Sequence, residues 1–281
     1  MGKRGIEKFM KEEFFIKQFK NKFIGDDGAI VDLKRCNIIA SDSFFEDIHF
    51  KKEWMDLDEI SYKASLVNIS DMIVMNSKIK YTILNVGFPD MSLSDIKKLA
   101  DGFKKAANEY GYKIIGGDTI KNEKIAISIT MIGESKRAIK RKAKVDEYVA
   151  FTGSLGSVSK DLKRLLRGKK INKNSKFIKP ILRDKFFYKA SKYITAACDI
   201  SDGLFKELER ISKVSNVGYR FIKNIDKITG CSGEEYEILF TFSKKHLKAI
   251  KNIAKITRTK ITIFAITKRG KYKNICKENH F

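Results

Sequence analysis

Short apolar runs alternate with segments of helical spacing along the whole chain, and this alternation limits the folds that are open to it. Apolar residues recur with a helical period over residues 58–76, and an apolar run follows at 81–88. The second half shows the same alternation. Such patterns indicate α/β or α+β domains. A length of 281 residues favours two domains. We expect the second to begin near Val145, which gives domains of residues 1–144 and 145–281.

Local signals place some of these elements in more detail. Ser92 resembles the first residue of a capping box, and the helix that it opens is expected to end near Gly111. Strands are predicted at 113–115 and 124–132. Gly116-Gly117-Asp118 is then expected in the loop between these two strands.

Aspartates occur beside small or amide residues in five separate short motifs. They are Gly25-Asp26-Asp27, Ser41-Asp42-Ser43, Asn68-Ile69-Ser70-Asp71, Gly116-Gly117-Asp118-Thr119 and Asp199-Ile200-Ser201-Asp202-Gly203. Mg²⁺ prefers oxygen ligands and is usually shared between one or two carboxylates and phosphate oxygens. Glycine lets a backbone approach those phosphates closely. The motifs are expected where strands end, which is where open α/β sheets bind ligands. They predict magnesium sites that hold a polyphosphate.

Three of these motifs also have an ordinary structural explanation. The Asp-Gly pair at 27–28 is typical of a turn, and Asp118 also fits the end of a Gly-Gly turn. Asp202 precedes a predicted helix, where it fits an N-cap. Asp71 is harder to explain in this way, because it shares an apolar helix face with Asn68. A carboxylate in such surroundings needs solvent or a cationic partner.

Three further sets of polar residues have two interpretations each. His49 is one of three histidines and fits either a surface position or a ligand contact. Glu234-Glu235 is consistent with an ordinary helix start, where acids complement the helix dipole. Arg137 and Arg141, four residues apart, fit a solvated charged face. The chain contains neither a P-loop nor a Gly-rich dinucleotide or protein-kinase loop.

The net charge of +24 also has two explanations. A basic protein can be a nucleic-acid binder. The lysines are, however, spread over the chain, which is rich in Lys, Ile and Phe and has only two prolines, so we favour compositional drift with attraction of small anions. The four cysteines, Cys36, Cys198, Cys231 and Cys276, lie far apart, so neither a zinc site nor a disulfide framework is expected. Without a membrane-spanning run or an apolar signal segment, this predicts a reduced cytoplasm.

The order of the motifs resembles one known family. Gly-Asp-Asp, Ser-Asp with a following His-Phe, Val-Asn-Ile-Ser-Asp, Gly-Gly-Asp-Thr, Asp-Ile-Ser-Asp-Gly-Leu and Ser-Gly-Glu-Glu-Tyr-Glu succeed one another from about Phe14 to Phe281. This succession is similar to that of the thiamine-monophosphate kinases, within the aminoimidazole-ribonucleotide-synthetase-like ATP-binding superfamily. Each motif is weak alone, but their combination is specific.

The resemblance implies an α/β (α+β) fold of two domains, with an N-terminal mixed sheet and a smaller C-terminal domain that closes a cleft holding ATP and Mg²⁺. It also implies a homodimer formed through the N-terminal domains. By motif position the metal-binding set is Asp27, Ser41, Asp42, Asp71, Asp118, Asp199 and Asp202. The ATP-binding positions are Gly117, Asp118, Arg141 and Ser201. The positions near thiamine phosphate are His49, Glu234 and, where the family often has an aromatic residue, Glu278.

Four departures from the family pattern are visible. Ala40 stands where a hydroxylated residue is common, and Glu235 stands where the family has Asp. Glu278-Asn279 precede the terminal His-Phe, where an aromatic residue can stack on the substrate. The stretch from Asp202 to Glu234 is short, which predicts a trimmed C-terminal domain.

The expected activity is therefore transfer of the γ-phosphoryl group of ATP to thiamine monophosphate, with neither a nucleic acid nor a membrane as partner. The acceptor is a phosphate whose second pKa is about 6, so no general base among the residues is expected. Two alternatives remain. One is another reaction of the superfamily, selenophosphate synthesis or hydrogenase maturation, although 1–24 has no Cys and Cys276 lies five residues from the end. The other is a basic nucleic-acid-binding protein, which leaves the ordered aspartates unexplained.

Overall fold

The computed structural model describes residues 37–276 together with Phe14, Phe15, Gln18 and Phe19. The contacts divide the chain into two compact units. The first unit is Met1–Met72 with Lys78–Ser135, and the second is Ile73–Ser77 with Lys136–Phe281. The functional roles assigned to residues 1–144 and 145–281 stay predictions.

The first unit is a four-stranded mixed sheet with two long helices. The strands are β1 (Asn37–Phe45), β2 (Lys78–Phe88), β3 (Lys113–Lys121) and β4 (Ala126–Glu134). The helices are α1 (Leu57–Val74) and α2 (Leu93–Tyr110), preceded by a 3₁₀ turn at Lys52–Trp54. The strand order is β1-β4-β2-β3, in which only β2 and β3 pair in parallel.

Alternation along the strands gives this sheet one buried and one more open face. In β4, Ile127, Ile129 and Met131 are fully buried while their neighbours are partly exposed. In β1, Phe44 is buried but Ile39 is 63% exposed. Because successive side chains of a strand point to opposite faces, the core lies on the face that carries Phe44. Asp42 belongs to that face and Ser41 to the other.

The capping prediction for α2 is confirmed. The Ser92 hydroxyl accepts a hydrogen bond from the Asp95 backbone N–H, and Gly111 ends the helix in the left-handed conformation. Two other predictions are wrong. Gly116-Gly117-Asp118 lies inside β3 rather than in a loop, and Asp42 lies within β1 rather than at its end. Tertiary pairing extends both strands: β1 pairs with β4 along its length, and β3 pairs with β2.

The second unit is a five-stranded sheet, entirely antiparallel, with order β6-β8-β5-β9-β7. Its strands are β5 (Glu147–Thr152), β6 (Ile194–Asp199), β7 (Val217–Phe221), β8 (Ile238–Ser243) and β9 (Ile261–Arg269). Its helices are α3 (Ser157–Leu165), α4 (Asp184–Ala190), α5 (Leu204–Ser215), α6 (Lys227–Gly230) and α7 (Leu247–Ile256), with 3₁₀ turns at Ser191–Tyr193 and Lys244–His246.

One apolar cluster joins the sheet and α5 in this unit. Phe151, Cys198 and Phe264 from three strands are buried with Leu208 and Ile211 of the helix. This packing fixes the end of β6 and the start of α5, which together carry the second group of aspartates. In neither unit is any described helix long and apolar enough to span a membrane.

The expectation of unpaired cysteines is wrong, because Cys231 and Cys276 form a disulfide. Their Cα atoms are 5.6 Å apart although 45 residues separate them in the chain. Such a pair leaves no local spacing signal, and its connectivity follows only from the folded geometry. Cys198 is a free thiol, and its burial raises its pKa well above the usual value.

Candidate active site

In the first unit, β1 and α1 bring two buried oxygen ligands to one place. Asp42 pairs with Ile129 in the β1–β4 register, and the Asn68 Nδ2 of α1 donates a hydrogen bond to the Ile129 carbonyl at 3.2 Å. Asp42 Oδ2 and Asn68 Oδ1 are both buried and have no hydrogen-bond partner among the described residues. Unsatisfied buried oxygens are costly, and they favour a bound cation.

A second carboxylate adjoins this pair. Asp71 lies one turn beyond Asn68 on α1 and within hydrogen-bonding reach of Asp42. Burial raises the pKa of Asp42 above its usual value, and the contact with Asp71 and the nearby charge of His49 only partly offset the rise. Two carboxylates this close repel each other unless a cation or a proton lies between them. The prediction that Asn68 and Asp71 share one helix face is confirmed.

His49 belongs to the same group of side chains. Its ring stacks on Phe44, with centroids 5.3 Å apart, and Phe44 shares a sheet face with Asp42. The Phe45 backbone N–H donates to His49 Nδ1 at 3.0 Å, so a neutral ring carries its proton on Nε2. The turn after β1 therefore holds the imidazole beside the carboxylates.

The donor chemistry of this group fits Mg²⁺. No cluster of three or more His, Cys, Asp or Glu side chains with metal-binding geometry occurs among the described residues. Mg²⁺ does not require such a cage, because it commonly takes one or two carboxylates and completes its shell with water and phosphate oxygens. Asp42, Asp71 and the Asn68 amide oxygen supply ligands of this type.

Gly117 lies in the same cross-strand row of the sheet as Asp42 but on β3, and Asp118 lies one residue further along that strand. Gly117 pairs with Leu84, which pairs with Ile129, the partner of Asp42. Three strand spacings, about 14 Å, therefore separate Gly117 from Asp42. The structure does not bring Asp118 to the Asp42 carboxylate, and its backbone N–H instead donates to Asn85 Oδ1 at 3.0 Å.

Gly117 has no room for a side chain. Its φ is +149°, and a Cβ atom would lie 1.8 Å from the Leu84 carbonyl oxygen. Only glycine fits there, so the backbone of β3 remains bare next to Asp118. Ser41, in contrast, lies on the sheet face opposite Asp42, and its hydroxyl bonds to the Ile129 carbonyl and to Thr130 Oγ1. The metal-binding role of Ser41 stays a prediction.

In the second unit, Asp199 ends β6 and is buried. Arg141 lies beside it, with Cys198 and Glu207 as its other charged or polar neighbours. Burial lowers the pKa of Arg141, but these neighbours outweigh that effect and the pKa lies above its usual value. Arg141 Nε is buried without a hydrogen-bond partner among the described residues. The Arg141 guanidinium is thus not on a solvated face, whereas Arg137 is exposed although it donates to the Ile194 carbonyl.

The N-cap interpretation of Asp202 is wrong. Gly203 occupies the N-cap of α5 with φ of +100°, and no side chain caps the helix. Asp202 instead bonds to Arg210, which also pairs with Glu207. Glu207 is fully buried, and desolvation raises its pKa to about 7 despite Arg210. The contacts among Asp202, Arg210 and Glu207 therefore orient the Asp202 carboxylate just before the start of α5.

The segment after Cys231 is not a helix start. Glu234 and Tyr236 have left-handed φ values of 55° and 49°, and the Glu234 N–H donates to the Ser201 carbonyl at 2.6 Å. The acidic segment is therefore joined directly to the Asp199-Ile200-Ser201-Asp202 motif. Glu235 and Glu237 are fully buried rather than solvent-facing.

Four basic residues near these acidic and aromatic side chains were not predicted from the sequence. Lys63 of α1 is fully buried, and its ammonium lies 5.6 Å from the centre of the Phe44 ring. Lys176, Arg183 and Arg210 pair with the buried or half-buried carboxylates of the second unit. A lysine within the apolar spacing of α1 is a detectable signal, because lysine is rarely buried without a function or partner. The other three lie in ordinary basic stretches and left no signal.

Two of the predicted site residues, Asp27 and Glu278, lie outside the described residues. Their roles stay predictions, as does the stacking question at the C-terminal end.

Comparison with known proteins adds independent information. Residues 25–135 match the family model of the AIR synthase related protein, N-terminal domain. The thiamine-monophosphate kinase of Buchnera aphidicola subsp. Acyrthosiphon pisum (strain APS) is 30% identical over 285 residues, which cover 88% of this chain and 88% of that protein.

Solved structures agree with the fold. The thiamine-monophosphate kinase of Stenotrophomonas maltophilia K279a has a TM-score of 0.80 and 23% identity, covering 89% of this chain and 88% of that one. AaThiL complexed with AMPPCP and TMP has a TM-score of 0.77 and 24% identity, covering 99% and 96%. These likenesses support the predicted fold. Identity at the level of the Buchnera relative, over most of both chains, shows that this chain belongs to the thiamine-monophosphate kinase family.

Proposed function

We propose that this protein transfers the γ-phosphoryl group of ATP to thiamine monophosphate and so forms thiamine diphosphate. Membership of the kinase family supports the reaction, and AaThiL, a structural relative, is known in complex with AMPPCP and TMP. The observation that carries the proposal in this chain is the pair of buried, unpartnered oxygens on Asp42 and Asn68. Two such oxygens favour a bound cation, which would in turn bind phosphate.

The acceptor chemistry fits a site without a general base. The acceptor phosphate has a second pKa of about 6 and is mostly deprotonated at neutral pH. Mutual repulsion of two anions is then the main obstacle, and positioning with positive charge is the remedy. Mg²⁺ would supply charge neutralisation at the phosphates when bound. His49 Nδ1 accepts a backbone hydrogen bond, and we assign His49 to substrate contact by its motif position.

We assign the remaining roles by motif position; the placement of Asp42 and Asp71 supports theirs, whereas that of Ser41 and Asp118 does not by itself. The proposed magnesium ligands are Asp27, Ser41, Asp42, Asp71, Asp118, Asp199 and Asp202. The proposed ATP contacts are Gly117, Asp118, Arg141 and Ser201, and the proposed contacts to thiamine phosphate are His49, Glu234 and Glu278. Arg141 fits a contact to a polyanion because its Nε is buried and has no hydrogen-bond partner among the described residues. Residues 1–144 would carry ATP and Mg²⁺ binding and dimerisation.

We also propose a homodimer and a cytoplasmic location. The open face of the first unit's sheet exposes Ile39, Phe45 and Ile83, at 63%, 36% and 37%. An apolar sheet face of this kind is typical of a protein interface. Ile39→Lys should therefore shift the protein to monomer in light scattering, while Ile256→Lys, at an equally exposed isoleucine of α7, should not. We base the cytoplasmic location on the use of ATP as co-substrate alone, because the Cys231–Cys276 disulfide removes the argument from reduced cysteines.

An assay of ADP formation with a panel of phosphorylated acceptors tests the reaction. We expect turnover with thiamine monophosphate that requires Mg²⁺ and rises through about pH 6, the acceptor pKa. His49→Ala should raise KM for the acceptor more than it lowers kcat. Turnover with another acceptor alone would favour a different reaction of the superfamily. Salt-sensitive DNA binding without Mg-dependent ATP binding would favour the nucleic-acid alternative.

A further inference from the structure

The acidic segment Ser232–Glu237 of the second unit is held in an uncommon backbone conformation. Glu234 and Tyr236 both adopt left-handed φ values, which are unfavourable for non-glycine residues. Three backbone hydrogen bonds join the segment to the end of β6. The Glu234 and Tyr236 N–H groups donate to the Ser201 and Ile200 carbonyls, and the Ile200 N–H donates to the Glu237 carbonyl. Such a conformation persists only where the surroundings enforce it.

Two fully buried carboxylates supply that enforcement. Glu235 Oε1 accepts hydrogen bonds from the Gly156 N–H at 2.6 Å, the Val158 N–H at 3.2 Å and the Ser232 hydroxyl at 2.7 Å. Glu237 Oε2 accepts one from the Thr152 hydroxyl at 2.7 Å. The carboxylates therefore connect the acidic segment to the loop before α3.

Lys176 and Arg183 neutralise these two buried charges. Lys176 Nζ lies 2.8 Å from Glu235 Oε2 and 3.2 Å from Glu237 Oε1, and it also donates to the Ser154 carbonyl. Arg183 binds Glu237 through both carboxylate oxygens, Nε to Oε2 at 2.9 Å and Nη2 to Oε1 at 3.0 Å. Burial opposes ionisation of Glu237, but Arg183 and Lys176 outweigh it and hold its pKa below the usual value.

The packing around this cluster leaves little freedom. A Cβ atom at Gly153 would lie 1.9 Å from Glu237 Oε1, so the loop backbone rests directly on the carboxylate. Lys176 and Arg183 side chains are only 11% and 20% exposed. A buried ion pair that loses one partner leaves an uncompensated charge, and the segment must then rearrange to hydrate it.

We propose that Lys176 and Arg183 are positioning residues for the acceptor: by holding Glu235 and Glu237, they fix the backbone that carries Glu234 next to Ser201. This inference rests on the proposed function, in which Glu234 contacts thiamine phosphate. Neither basic residue touches the substrate in this scheme. Their effect passes through two buried carboxylates and the left-handed backbone between them.

Lys176→Gln tests the proposal, because glutamine keeps a donor for the Ser154 carbonyl but removes the charge. Misplacement of a reacting group by about 1 Å can cost on the order of 10²-fold in rate, so we expect kcat/KM for thiamine monophosphate to fall by about that factor. The dissociation constant of a non-hydrolysable ATP analogue should change by a smaller factor, because the segment reaches the proposed ATP contact Ser201 only through its backbone carbonyl. Hydrogen exchange at the Gly156 and Val158 amides, measured without substrate, should accelerate. Lys185→Gln, at an exposed lysine of α4, is the matched control and should match the wild type.

Arg183→Lys provides a second test that keeps the charge and removes the bidentate contact. It should lower kcat/KM for the acceptor less than Lys176→Gln does, and it carries the same comparison if Lys176→Gln does not fold. Wild-type acceptor kinetics in both variants, or losses shared equally by acceptor turnover and nucleotide-analogue binding, would overturn the positioning role. Absence of turnover in the wild type itself would refute the proposed function and, with it, the acceptor role.

Discussion

The disulfide between Cys231 and Cys276 should contribute strongly to the stability of the second unit. The bond joins residues 45 apart in sequence. For a loop of that length, the loss of chain entropy in the unfolded state corresponds to about 4 kcal/mol at 25 °C. Measured disulfides commonly reach 2–4 kcal/mol, so we take 4 as the upper value. At about 2–4 °C per kcal/mol for a unit of this size, the change in Tm is on the order of 10 °C.

Cys276→Ala removes the bond without changing the residue next to Ser232. Urea unfolding of the oxidised wild type should have a higher midpoint than that of the variant, and a dithiol reductant should abolish the difference. The variant itself should not respond to the reductant, which makes it the control for effects elsewhere. Thiol labelling of the denatured wild-type chain should increase by two groups on reduction. An unchanged thiol count on reduction, or an equal shift of both urea midpoints by the reductant, would contradict the stabilising role of the disulfide.

Three further predictions concern single side chains. Asp42→Asn should lower turnover roughly 10²-fold or more at saturating Mg²⁺. It should not lower Tm in the absence of Mg²⁺, because burial already disfavours the charged form of this carboxylate. Wild-type turnover in the variant would exclude a metal-binding role for Asp42. Glu207 has a folded-state pKa of about 7 against 4.5, so its contribution to stability is present at low pH and is lost as pH rises from about 4.5 to about 7. Glu207→Gln should reduce that decline by about 1–3 kcal/mol in urea unfolding at pH 5 and 7.5, and an unchanged decline would contradict the raised pKa. Gly117→Ala should lower the free energy of unfolding by about 3 kcal/mol or more, because its Cβ would meet the Leu84 carbonyl. Gly116→Ala, where a Cβ has open space, should lower it by less than about 1 kcal/mol. Equal unfolding midpoints for the two variants would refute the steric argument.

The sequence predicted the placement of some site residues but not of others. Asn68 and Asp71 were placed on one helix face from their spacing alone, since three residues make slightly less than one turn. The association of Asp42 with this pair depends on the β1–β4 register and on the Asn68 contact with Ile129. Spacing along one element is a local property, whereas contact between elements is not.

The wrong predictions share one cause. An N-cap was one interpretation of Asp202 because the next residues are helical, but its carboxylate bonds to Arg210 of α5, eight residues further along the chain. Gly117 was assigned to a turn because glycine favours turns, but pairing with β2 draws it into a strand. In each case a contact outside the local motif outweighed the preference of the motif itself.

The sequence by itself determined the family, through the order of its aspartate motifs, and the limits of α2, through the caps at Ser92 and Gly111. The caps depend on neighbouring residues and the family resemblance on the order of motifs along the chain, so both can be recognised from the sequence alone. Only the tertiary structure decided that Cys231 meets Cys276 and that Lys176 and Arg183 neutralise two buried glutamates. These contacts join residues tens of positions apart, so they form only when the elements of the second unit pack together.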